Sequence, residues 1–178
     1  GGNKHLPILW KKIFGLGGIP HHMAERNRTE TAYYISKYDG AIRYVDEQIG
    51  LLLETLEKLK LDENTVIVIS ADHGTYLGEH NFYFCHTGIP FEPLIRVPLI
   101  IKYDKIQSKG KIIDTQVQSI DIAPTVLDIL NLNQACSFQG MRLKPLMVGE
   151  TSFHTPYAFI GDKKCAAVRT KDFKLMRI

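Results

Sequence analysis

Asp72 and His73 are adjacent and follow directly on the apolar run Thr65-Val66-Ile67-Val68-Ile69-Ser70. A carboxylate beside an imidazole offers a divalent cation one hard oxygen donor and one nitrogen donor. Gly74 lets the backbone turn away immediately after them. The same dipeptide also makes an ordinary capped turn in which the carboxylate accepts backbone N–H groups, so the bare residues leave both uses open. His80 and His86 follow at short spacing. His86, in Phe84-Cys85-His86-Thr87-Gly88, could donate to an anionic oxygen or a leaving group, or simply bond to its own loop backbone. His80 is expected to brace the loop with Glu79. His21 and His22, then His5 and His154, rank below these as contacts to any ligand.

These side chains must be held by regular elements. From Thr31 to about Lys60, apolar residues recur at three- and four-residue intervals (Tyr34, Ile35, Tyr38, Ile42, Val45, Ile49, Leu52, Leu53, Leu56), which predicts one long amphipathic helix. Glu54 and Lys58 stand four apart in the favourable order. Asp62-Glu63-Asn64 is expected to end the helix in a turn. The β-branched run Thr65–Ser70 predicts a strand covered on both faces, as in a parallel sheet flanked by helices. Asp72 and His73 then sit at the carboxyl end of that strand, where open α/β sheets build their sites. Residues 71–93 read as a long loop. Arg96–Tyr103 reads as a second buried strand with Pro98 near its start, and Gly110–Val117 as a turn and short strand. Ser119–Leu130 reads as a helix that must begin near Asp121 so that Pro124 lies in its first turn. Met141–Val148 suggests a short helix. Tyr157–Gly161, Cys165–Arg169 and Phe173–Ile178 alternate like strands, the last two joined by a Thr170-Lys171-Asp172 turn. The first thirty residues, broken by Gly15, Gly17, Gly18 and Pro20, read as an irregular surface segment.

The composition excludes several classes. The chain has 178 residues, 44% hydrophobic and 23% charged, which is ordinary for a globular domain and unlike a disordered or fibrous one. A net charge of +3 from 22 basic and 19 acidic residues implies no nucleic-acid partner. No apolar run is long enough to span a membrane. Cys85, Cys136 and Cys165 form neither a disulfide framework nor a C-x-x-C zinc motif, a usage compatible with the cytoplasm. The compartment stays open, because any targeting segment would precede this stretch.

Several blocks together carry a family resemblance. They are D-H-G-x-x-L-G-E-H from Asp72 to His80, the histidine-bearing loop after it, and R-V-P-L-I-I from Arg96. To these are added Y-D-G-A-I-R-Y-V-D-E-Q-I-G (Tyr38 to Gly50), I-D-I-A-P-T-V-L-D-I-L from Ile120, Q-G-M-R-L-K-P-L-M (Gln139 to Met147) and A-V-R-T-K-D-F-K-L (Ala167 to Leu175). In this order and spacing the chain resembles the sulfatase family of the alkaline-phosphatase superfamily, from about Ala32 to its end. The resemblance implies an α/β fold: a partial alkaline-phosphatase-like mixed sheet sandwiched by helices over residues 1–150, and the start of a small antiparallel C-terminal sheet over residues 151–178.

The resemblance also implies a chemistry. Asp72 and His73 would ligate a divalent metal ion, calcium in the usual case, with magnesium, manganese or zinc as alternatives. His86 would contact the sulfate or the leaving group as the catalytic histidine. The nucleophile of the family is a formylglycine made from Cys or Ser in C-x-P-S-R. No such motif, and no early pair of Asp ligands, occurs in this chain. Cys165-Ala-Ala-Val-Arg169 has Cys and Arg at the right spacing but lacks the Pro and the small polar residue. Cys85 stands where relatives often carry a lysine. The expectation is therefore the downstream part of a sulfuric-ester hydrolase acting on a small-molecule or saccharide sulfate ester, inert alone, with the formylglycine upstream. Asp46 and Asp121 are expected to be structural or capping acids, Arg96 a structural ion pair, and Trp10 an anchor or a cleft residue. A phosphodiesterase, phosphonate hydrolase or phosphoglycerol transferase of the same superfamily is the alternative chemistry, and a non-catalytic remnant of the fold is the alternative class. Apolar surface left uncovered would favour self-association.

Overall fold

Residues 31–58 form one α-helix, α1 (Thr31–Lys58), because no proline interrupts the periodic apolar positions. Its first turn has no side-chain cap. Instead the Lys4 carbonyl accepts both the Thr31 N–H at 2.9 Å and the Thr31 hydroxyl at 2.7 Å. Glu30 precedes the helix and accepts the Thr29 N–H at 3.0 Å. Its carboxyl is held below the ordinary carboxylate value, chiefly by hydrogen bonds from its own backbone and that of Thr29, with Arg28 adding attraction. The helix ends as glycine-type ends do, although the left-handed position is Lys60 (φ 56). Lys60 N–H reaches the Glu57 carbonyl and Leu61 N–H the Leu56 carbonyl, both at 2.9 Å, which satisfies the last turn. Arg43–Glu47 (3.0 Å) and Lys58–Glu54 (3.4 Å) pair along the exposed side.

The computed structural model describes residues 4–9, 16–25, 28–86, 88–106, 110–132, 137–161 and 165–177. Trp10 and Cys136 lie outside these residues. The chain divides into two units, one of residues 1–62 with 69–99, the other of residues 63–68 with 100–178.

In the first unit the lead segment is not merely surface, as its glycines suggest. Strand β1 (Ile8–Leu9) runs parallel to β2 (Ile19–Pro20). Leu6 and Ile19 are buried with Tyr34, Tyr83 and Phe84 in one apolar cluster. Tyr34 is the one buried residue of α1. The apolar stripe that the periodicity predicts is there, but Ile42, Val45 and Leu52 are each more than half exposed.

Strand β3 is Ile67–Ser70, half-buried along its length and exposed at Ser70, rather than covered on both faces as the β-branched run suggests. Residues 71–93 are more structured than a loop. They hold β4 (Tyr76–Leu77), a 3₁₀ turn at Glu79–Asn81, β5 (Tyr83–Cys85) and a one-turn helix, α2 (Glu92–Ile95). β4 and β5 are antiparallel, with Tyr76 opposite Cys85 and Leu77 opposite Tyr83, so Phe84 is an extra, bulged residue. Its φ of 52° puts a bulky side chain in the left-handed region, a local strain of about 1–3 kcal/mol. The bulge explains why three successive residues are buried where a regular strand would alternate. Tyr83 and Phe84 enter the first cluster, whereas Cys85 joins Tyr76 and Leu94 in a second.

Strand β6 (Leu99–Lys102) neighbours β3 in a two-stranded sheet and alternates half-buried with exposed. In the second unit, residues 110–117 form no strand. A 3₁₀ turn at Ser119–Asp121 leads into α3 (Ile122–Ile129), with Pro124 in its first turn as the sequence requires. α4 (Lys144–Val148) ends at Gly149 (φ 82). Ile106, Ile129 and Met147 form the core here, with Val66, Ile101, Tyr103 and Ile113 packed against it. β7 (Ala158–Gly161), β8 (Ala166–Arg169) and β9 (Lys174–Arg177) make the expected antiparallel sheet in sequence order. Phe159, Val168 and Leu175 lie in one row across it.

That sheet is tied to the segment before α3 by two glutamines. Gln118 Oε1 accepts the Phe159 N–H at 2.9 Å, and Gln116 Nε2 donates to the Arg169 carbonyl at 3.2 Å. Asp121 is fully buried, and its carboxylate accepts the Gln118 and Met141 N–H groups, each at 2.7 Å, and lies 2.9 Å from His154 Nε2. Gly140 is required here, since a Cβ would lie 2.1 Å from the Ile120 carbonyl oxygen. Asp121 is thus the first-turn acid that the sequence predicts, and it is also a hub.

Candidate functional site

Strand β3 delivers the chain to Asp72, and the sequence then has to turn at once. Gly74 makes this possible. Its N–H donates to the Leu94 carbonyl at 2.7 Å, and a Cβ would stand only 1.9 Å from the Pro93 carbonyl oxygen. No other residue fits this approach to α2.

Asp72 presents its carboxylate to solvent, with the side chain 88% exposed. One oxygen, Oδ1, accepts the His73 N–H at 2.9 Å, which is the capped turn. The other, Oδ2, lies 3.7 Å from His73 Nε2. His73 Nδ1 is 2.9 Å from the Gly74 carbonyl oxygen. A carbonyl can only accept, so Nδ1 carries the proton in that bond, and the neutral ring keeps its lone pair on Nε2. The two readings of the dipeptide are therefore compatible, because the turn uses Oδ1 and Nδ1 and leaves Oδ2 and Nε2 outside it.

These two atoms, 3.7 Å apart, would be able to share one divalent cation, the carboxylate as a hard oxygen donor and the imidazole as a nitrogen donor. They supply only part of a coordination shell. Among the described residues no group of three or more His, Cys, Asp or Glu is arranged so that it could hold a metal ion by itself.

His86 joins this pair. Its ring stacks on that of His73 with centroids 4.5 Å apart and planes 10° from parallel. The structure thus brings Asp72, His73 and His86 to one exposed place. His80, at φ 52, stacks instead on Phe91 (3.7 Å, 17°), so its partner is an aromatic ring and not Glu79. Glu79 Oε2 accepts the Leu77 N–H at 2.8 Å. Cys85 is buried, with its side chain in the second cluster. His21 and His22 are exposed on a 3₁₀ turn, and His5 bonds to Thr29. Arg96 is exposed. Cys165 and Arg169 belong to the C-terminal sheet segment, where Arg169 Nη1 donates to Gln116 Oε1.

Two features escaped the sequence. One is the Asp121–His154 pair, whose members are 33 residues apart with no local pattern to join them. The other is Tyr76, fully buried in the middle of the expected loop. An aromatic within a polar segment was the available signal for it.

The family model described as Sulfatase matches residues 19–132. An N-acetylglucosamine-6-O-sulfatase of Bacteroides thetaiotaomicron is 33% identical over 155 residues, covering 80% of this chain and 27% of that protein. An arylsulfatase of Clostridium perfringens is 34% identical over 154 residues, covering 82% of this chain and 30% of its own length. A solved structure of a protein in complex with its substrate D-glucosamine-2-N,6-O-disulfate superposes with a TM-score of 0.60 at 32% identity, over 76% of this chain and 29% of that one. Ps i-CgsB in complex with k-i-k-neocarrahexaose gives a TM-score of 0.63 at 25% identity, over 79% and 34%. The chain spans less than a third of the length of the two curated relatives. Among the described residues no helix is long and apolar enough to cross a membrane. With the fold of its structural neighbours and the family's pattern over residues 19–132, the chain belongs to the sulfatase family.

Proposed function

We propose that this chain is the metal-side portion of a hydrolase that cleaves sulfuric esters of saccharides or small molecules. The observation that carries the reading is the pair Asp72 Oδ2 and His73 Nε2, 3.7 Å apart at the exit of β3, with His86 stacked beside it. Asp72 and His73 would hold a divalent cation, calcium first, which when bound neutralises negative charge on the sulfate and acidifies a nucleophilic hydroxyl. The Gly74 carbonyl accepts from Nδ1 and so favours the His73 tautomer in which Nε2 would be the metal-binding nitrogen. His86 would donate an imidazole N–H to a sulfate oxygen or to the departing alcohol. The formylglycine nucleophile and the remaining cation donors would come from other parts of a longer protein. This chain alone is then expected to hydrolyse nothing. The similarity to an N-acetylglucosamine-6-O-sulfatase and to a structure holding a glucosamine disulfate favours a sulfated amino sugar as the first ester to try.

The test is release of inorganic sulfate from N-acetylglucosamine 6-sulfate and an aryl sulfate by the longer protein that contains this chain, with and without Asp72→Ala. Calcium-dependent release that Asp72→Ala lowers by at least about a hundredfold is expected, the scale for loss of one electrostatic contact to the transition state. No release from either ester, or release untouched by Asp72→Ala, would overturn the reading.

A further inference from the structure

We propose that Tyr76 is a positioning residue for His86: its hydroxyl, beyond the packing of its ring, sets where the His86 imidazole stands against His73. The inference rests on the reading of His86 as the group that faces the ester.

Tyr76 is fully buried and its ring stacks on Phe82 at 5.1 Å. Packing of that kind needs only a phenyl ring. The hydroxyl adds two directional bonds of opposite sense. It donates to the Ile89 carbonyl oxygen and accepts the Phe91 N–H at 3.2 Å. Between these two residues lies Pro90, which has no N–H of its own to offer.

The consequence reaches the site along two routes. On one, the backbone of Tyr76 lies directly opposite Cys85, the neighbour of His86. On the other, Phe91 opens α2, whose Leu94 carbonyl accepts the Gly74 N–H next to His73. Phe91 also carries the His80 ring. One hydroxyl therefore links β4, the Ile89-Pro90-Phe91 segment, α2 and the Asp72-His73 turn. Among the described residues His86 makes no hydrogen bond, and its partner is the face of His73. A stack has little hold on sideways slip, so its place depends on the backbone that Tyr76 anchors.

Tyr76→Phe keeps the ring and removes only the hydroxyl. The readout is the set of proton–proton cross-peaks between the His73 and His86 imidazoles in the NMR spectrum of this chain. The unaltered chain is expected to show them, and Tyr76→Phe to lose them while keeping a native far-UV circular dichroism spectrum. A merely structural hydroxyl would lower the melting temperature of Tyr76→Phe and leave the cross-peaks in place, which overturns the proposal. Should Tyr76→Phe fail to fold, warming the unaltered chain decides. The slowly exchanging hydroxyl proton of Tyr76 and the inter-imidazole cross-peaks are expected to vanish together, and cross-peaks that outlast the hydroxyl signal refute the link. Neither cation nor ester is present in these measurements, so their failure leaves the hydrolytic reading to its own test.

Discussion

Replacing Asp121 by asparagine should unfold much of the second unit without touching the candidate site. The carboxylate is fully buried and serves three partners: Gln118 N–H at 2.7 Å, Met141 N–H at 2.7 Å and His154 Nε2 at 2.9 Å. The first and third share Oδ2, and the second uses Oδ1. Asparagine keeps the shape but turns one of these oxygens into an NH₂ that can only donate. Either Met141, or both Gln118 and His154, must then face a donor. With the new NH₂ itself, at least two buried donors are left unsatisfied, each at a cost of about 1–3 kcal/mol, so the total is about 2–6 kcal/mol. That is a large share of the about 5–15 kcal/mol available to a whole domain. Urea denaturation followed by far-UV circular dichroism measures it, with the slope checked for change. A double-mutant cycle with His154→Leu should show a coupling of about 0.5–3 kcal/mol, since the two side chains touch. Asp128→Asn is the control, because its pair with Arg142 (3.3 Å) lies near the surface and should contribute no more than about 1 kcal/mol. An Asp121→Asn variant within about 1 kcal/mol of the parent, or a fully additive cycle, would refute the view of Asp121 as a hub.

Glu30 has a lowered pKa in the folded chain, so its contribution to stability is present above its unfolded pKa and lost as the pH falls through the folded one. Unfolding curves from pH 6 downward should therefore show a small acid loss that Glu30→Gln removes, and an identical profile for that variant would count against it. The uncovered stripe of Ile42, Val45 and Leu52 on α1 should make the isolated chain self-associate, and Ile42→Glu should weaken this. Light scattering that shows a monomer at high concentration would contradict that expectation.

The parts legible in the sequence were those fixed by local period. α1 follows from apolar spacing, and β7, β8 and β9 follow from alternation around a three-residue turn. Pro124 placed the start of α3 because its ring is tolerated only in a first turn. Asp72, His73 and His86 could be named because their types are chemically unusual side by side, and two of them adjoin a recognisable strand. What stayed hidden depended on distant partners. Ile19 and Leu6 are core residues in strands of two residues or in none, too short for any period to show. Tyr76 and Cys85 gain their meaning only from lying opposite one another. The β3 run looks equally apolar whether one face is covered or two, so composition overstated its burial. Sequence adjacency suggests Glu79 as the partner of His80, whereas at φ 52 its ring stacks on Phe91.

The bulge at Phe84 works like a frame shift in side-chain direction. In an unbroken strand Tyr83 and Cys85 would point to the same side; the extra residue sends them to opposite ones, toward separate clusters. Everything after Phe84 inherits that half-turn, His86 included. Length in this strand is thus a coordinate of orientation. Removing one residue would restore a regular ladder and point His86 away from His73, even though every residue with evident chemistry were kept.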